Sequence, residues 1–250
     1  MVFHAVTSSI LAMGAVILFK LRGVFAMLLA ERNMRVGDYN GALRTLHWVT
    51  LGFPTVTSLH REGLILSLGG RPAEAIPRYR QAIAKAQRGR YQIERLHACL
   101  GYALLDMGVY DEAEQCFHRA IEAGDHTGNS QDGLAEVRLY QGIEPEQALS
   151  YARQAIQHAQ RRGGGRVNGS YYAHEAWALA LLGRRDEAQT SLQKALQAPT
   201  GSHRDTASVR WRVGMVLLAM GEQDAARMNF QIGADVDPRG KYGARCRERL

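Results

Sequence analysis

Apolar residues along this chain recur three and four positions apart, and no segment alternates with a period of two. That pattern predicts helices throughout and no sheet. A second, longer period lies over the first. The clearest copy reads Leu100-Gly101, Leu104, Gly108, Tyr110, Ala113, Phe117, Ala120, and the last reads Val213-Gly214, Leu217, Gly221, Ala226, Phe230, Gly233, Pro238. The central alanines Ala42, Ala75, Ala113, Ala148, Ala188 and Ala226 recur at intervals of 33, 38, 35, 40 and 38 residues. Six units aligned on them begin near Gly23, Val56, Glu94, Asn129, Gly169 and Ala207 and cover residues 23–238; the fourth is the weakest. Each unit predicts two helices crossing closely at small residues, where a larger side chain would overpack by ~1–3 kcal/mol. Gly37, Gly70, Gly108, Gly183 and Gly221 stand where the first helix of a unit should end in a left-handed residue. Pro72 and Pro145 fall on the first turn of a second helix, where the missing N–H is harmless. Pro77, one turn further in, should strain its helix. Gln87–Arg90 and Arg161–Arg166 read as insertions between units.

These features resemble the tetratricopeptide repeat family, a helix-turn-helix of roughly 34 residues with an A-x3-F step and a closing proline. The step stands here as Ala113 to Phe117 and Ala226 to Phe230, with Tyr79 in place of Phe after Ala75. The resemblance implies an all-α, right-handed α-solenoid of stacked hairpins with a concave surface lined by the first helices. It also implies a protein that binds a partner's peptide or helix there and is not an enzyme. By the family's geometry, the inward positions are His60, Arg61, Cys99, Tyr102, Tyr140, His174, Trp177, Trp211, Arg212 and Met215. That is an aromatic groove with two arginines, the residue types that dominate interface energetics. A second reading has Trp177 and Trp211 filling contacts between neighbouring hairpins. Where some members clamp a partner's C-terminal carboxylates with Lys and Asn, this chain has Met27 and Glu31, so that mode is not expected.

The start of the chain adds a separate expectation. Residues 1–19 carry no formal charge, and Lys20 and Arg22 close the run. Nineteen helical residues span ~28 Å, close to a hydrocarbon core of roughly 30 Å. Residues 1–22 therefore read as a hydrophobic helix and a single-pass membrane anchor, with the repeats on the cytoplasmic side by the positive-inside rule. The alternative is a cytoplasmic adaptor whose first helix packs as a cap. A cleaved leader would need its positive charge before the apolar run, not after it.

Composition refines the picture only slightly. The 250 residues carry Lys+Arg 31 against Asp+Glu 24, a net charge of +7. Seven basic residues lie between Arg71 and Arg95, and five between Arg239 and Leu250, making residues 239–250 a basic tail. These read as solvated helix faces, or as contacts with anionic lipid or an acidic partner at ~1 kcal/mol per residue near a charged membrane. Cys99, Cys116 and Cys246 form no metal-binding pattern, and no metal or cofactor is expected. His174-Glu175 begins like HExxH, but Ala178 stands where the second histidine belongs. Gly163-Gly164-Gly165 follows no strand and reads as a flexible loop. Helical-repeat RNA binding would need a regular period and polar readers, so no nucleic-acid partner is expected.

Overall fold

The structure is a computed structural model and describes residues 25, 28–50, 54–86, 92–162 and 167–250. The described residues hold helices and no strand. A short helix, α1, covers 28–35. Twelve follow: α2 (Tyr39–Thr50), α3 (Val56–Leu68), α4 (Pro72–Ala86), α5 (Ile93–Asp106), α6 (Tyr110–Glu122), α7 (Asn129–Gln141), α8 (Pro145–Arg162), α9 (Gly169–Leu181), α10 (Arg185–Gln197), α11 (His203–Ala219), α12 (Gln223–Val236) and α13 (Lys241–Arg247). Most pack as antiparallel hairpins, α3 with α4 through α11 with α12, and successive hairpins stack into an α-solenoid. Residues 87–91 and 163–166, the whole of the first expected insertion, most of the second and the whole of the glycine loop, lie outside the described residues.

The sequence explains why the hairpins close. Gly108 ends the α5 turn at φ 74°, a conformation that side chains disfavour, and the backbone then reverses into α6. Gly101 faces Phe117 across the hairpin, and a Cβ placed on Gly101 would lie 2.8 Å from the Phe117 ring. Gly133 of the next hairpin approaches the same ring from the other side. Phe117 thus fills both the contact within its hairpin and the step to the following one, and it is fully buried. Thr55 and Ser58 form a reciprocal capping box at the start of α3, and Ser202 caps α11 through the Asp205 amide. Pro77 sits inside α4, yet that helix runs unbroken to Ala86. The three cysteines are free thiols.

Two first helices, α9 and α11, pack directly on each other, and α13 packs on α11 and α12. The basic residues 241–247 are therefore a helix docked on the solenoid. None of the described helices is long and apolar enough to cross a membrane. This overturns the single-pass placement; residues 1–22, on which the expectation rested, lie outside the described residues.

Candidate functional site

Helix spacing gathers an unusual set of side chains where α7, α9, α11 and α13 meet. On α7, Asp132, Glu136 and Tyr140 stand four residues apart and share one face. His174 and Trp177 project from α9, and Ser208, Trp211 and Arg212 from α11. Helix α13 brings Lys241, Tyr242 and Arg245 to the same place.

Arg212 is the hub and is only 3% exposed. Its Nε donates to His174 Nε2 at 2.7 Å, and one terminal nitrogen reaches both Glu136 oxygens at 3.0 Å. The same nitrogen donates to the Tyr242 hydroxyl at 3.0 Å, and the other donates to Ser208 Oγ at 2.6 Å. A guanidinium can only donate, so His174 Nε2 accepts, and the protonated Nδ1 donates a hydrogen bond to Asp132 Oδ1 at 2.6 Å. Burial is the largest influence on Glu136 and presses it toward its neutral form, but the surrounding positive charges, Arg212 first, together outweigh that and hold the carboxyl down at about 2. Burial likewise opposes ionisation of Tyr242, yet Arg212 and Lys241 pull its phenol below the ordinary value.

Asp132, Glu136 and His174 each offer a ligand atom within 4.8 Å of the others. The donor set suits a guanidinium better than a metal ion, because Arg212 already bonds to both Glu136 and His174 in the space a cation would take.

A second layer lies beside this network. The rings of Tyr140 and Trp177 meet edge-on at 5.9 Å, Trp177 and Trp211 at 6.2 Å, and Tyr140 and Trp211 lie 5.7 Å apart. The Arg245 guanidinium sits 5.1 Å from the Trp211 ring centre and donates to the Tyr140 hydroxyl at 2.8 Å. Asp106, the last residue of α5, accepts from Lys241 Nζ at 2.8 Å and from Arg245 at 2.9 Å. A carboxylate at a helix C-terminus is electrostatically misplaced, and these two cations offset that. Asp106, Asp132 and Glu136 thus face Arg212, Lys241 and Arg245, a neutral set of buried charge.

Of the residues expected to line the groove, His174, Trp177, Trp211 and Arg212 come together but are buried, and Tyr140 is half-buried under Arg245. Buried as they are, these four offer a partner no exposed surface. His60 lies apart from this network, whereas Tyr102 borders it, its hydroxyl 3.5 Å from Asp132 Oδ2. His60 Nε2 lies 3.6 Å from Cys99 Sγ, and Tyr102 donates to the Asn129 carbonyl at 2.7 Å. Burial, with Arg95 and Arg61 adding positive charge, lowers His60 to about 4, and burial pushes the Cys99 thiol up to about 11. Arg61 and Met215 are half-exposed.

The geometry gives the basic stretches no support as lipid contacts. Lys241 and Arg245 of the tail are turned inward onto Asp106, and Arg71, Arg78 and Arg80 pair with Glu74, Glu62 and Glu112. Sequence reading missed Asp106, Asp132, Glu136, Lys241, Tyr242 and Arg245. The available signal was the four-residue spacing of Asp132, Glu136 and Tyr140, hidden in the weakest unit.

The tetratricopeptide repeat pattern matches residues 95–123 and 169–199. Among solved structures, a tetratricopeptide repeat protein from Parabacteroides merdae is 17% identical, with a TM-score of 0.64 over 91% of this chain and 82% of its own. A thermophilic tetratricopeptide repeat protein of Thermus thermophilus is 21% identical, with a TM-score of 0.58 over 78% of this chain and 99% of its own. No curated protein matches the chain. The chain therefore contains tetratricopeptide repeats and has the fold of tetratricopeptide repeat proteins.

Proposed function

We propose that this chain is a non-enzymatic protein-binding scaffold that holds a segment of another protein, a peptide or a helix, against its concave face. One observation carries the reading. Asp106, Tyr140 and Trp211 already receive a helical segment, residues 241–245, through paired charges and aromatic rings, the composition of an interface rather than of a reaction centre. Among the described residues the candidate base, His174, has both ring nitrogens engaged by Asp132 and Arg212 and is fully buried, which leaves it no access to a substrate. Binding and release, not turnover, fit such a site.

Photo-crosslinking tests the proposal. A benzoylphenylalanine at Arg61 or Met215, on the concave side, should yield discrete protein adducts from cell extract. The same group at Arg227, exposed on α12, should yield none. Equal adducts from Arg227, with none from the concave positions, would overturn it.

A further inference from the structure

Helix α13 does two different things on its two faces. Gly243 and Cys246 are buried, and Cys246 packs against Gly233 of α12. Those contacts suffice to cover the end of a solenoid. The other face carries Lys241, Tyr242 and Arg245, and it lies against the ends of α5 and α7 and against α11, not in water. The side chains of Lys241 and Arg245 are only 13% and 19% exposed. Desolvating two cations is unfavourable unless a matched site receives them, and a mere end cap would leave them in solvent.

The site that receives them is drawn from distant parts of the chain. Asp106 takes both cations, the Tyr140 and Trp211 rings take the Arg245 guanidinium, and Arg212 donates to the Tyr242 hydroxyl. Before α13 the segment passes close to the start of the array. A Cβ on Gly37 would lie 3.6 Å from the Arg239 Cβ, and one on Gly70 would lie 4.0 Å from the Lys241 Cα. Residues 239–245 therefore run from the last hairpin past the turns of the first two and end on the third and fourth. This is how a bound segment sits in a concave face, with the difference that the segment is the chain's own.

We infer that α13 is an intramolecular ligand of the concave face, and that the partner which takes this groove presents the same Lys-aromatic-x-x-Arg pattern and enters by displacing α13. The inference rests on the concave-face reading above and adds to it the chemistry of the partner and the form of its control.

The test uses a fluorescent synthetic peptide spanning residues 237–250 and full-length chains. The wild-type chain should bind it at least ten-fold more weakly than Lys241→Ala/Arg245→Ala, in which the tail's own anchors are gone. Adding Asp106→Ala to that pair should weaken binding ten-fold or more, because the receiving carboxylate is lost. If circular dichroism shows that the alanine pair loses helix, Lys241→Gln/Arg245→Gln keeps the stems and carries the same comparison. Equal affinity for wild type and variant, or binding indifferent to Asp106→Ala, would overturn the inference. So would a partner that crosslinks at Arg61 or Met215 while the α13 amides stay protected from exchange. That last result would leave the concave-face reading standing and remove displacement alone.

Discussion

Lys241 and Asp106 are separated by 135 residues of sequence and by 2.8 Å between ammonium and carboxylate. The pair joins the last helix to the end of α5, and with Arg245 on the same carboxylate it fixes where the C-terminal segment lies.

Removing the shared acceptor should loosen that end first. Asp106→Ala leaves two partly buried cations facing a helix C-terminus without the carboxylate. A loss of about 2–4 kcal/mol is expected, below the value for a fully buried pair because both cations keep some solvent. Urea unfolding measures it, and a trypsin cut after Lys241 or Arg245 should appear in the variant well before wild type is nicked there.

The Arg212 hub should be costlier to break. Arg212→Ala strands Glu136 as an uncompensated buried charge and leaves His174 Nε2 without its donor, a loss of about 3–5 kcal/mol. Arg212→Met combined with Glu136→Leu removes both charges together and should recover much of it. A double-mutant cycle on denaturant midpoints checks the coupling.

Acid should destabilise the fold in two steps. His60 is lowered from 6.5 to about 4, so between those values the unfolded chain binds a proton that the folded chain refuses. Stability is full above about pH 6.5 and falls as pH drops toward 4, by on the order of 3 kcal/mol at most. Glu136 is lowered from 4.5 to about 2, so its contribution is present above pH 4.5 and lost between there and 2. His60→Gln should flatten the upper step and Glu136→Gln the lower one in unfolding curves taken across pH.

Two glycines only seven positions apart should respond for different reasons. Gly101→Ala drives a methyl to 2.8 Å from the Phe117 ring and should cost about 1–3 kcal/mol by overpacking. Gly108→Ala meets nothing within 4 Å but holds φ 74°, so its loss, about 1 kcal/mol, comes from backbone strain alone. A compensating Phe117→Leu should relieve the first and leave the second unchanged in thermal unfolding.

What the sequence could show follows the range of each interaction. Gly101, Ala113 and Phe117 meet within one hairpin, so their spacing alone predicts the contact, and the left-handed turns at Gly70 and Gly108 follow from residue type. The closure of the concave face depends on curvature summed over several hairpins, which no local pattern encodes. That is why Asp132 and Glu136 do not stand out in the sequence, and Lys241 and Arg245 read as part of a basic tail. Arg212 and Trp211 fall at inward positions by the family's geometry, but nothing local shows that Tyr242 and Arg245 pack on them.

Amide hydrogen exchange of residues 241–247 in the intact chain tests the central claim most directly. If α13 is held on the concave face by Asp106, Tyr140 and Trp211, these amides exchange far more slowly than an unstructured tail, and Asp106→Asn speeds them without loosening α9 or α11. Exchange in the wild-type chain at the rate of free peptide would contradict the account.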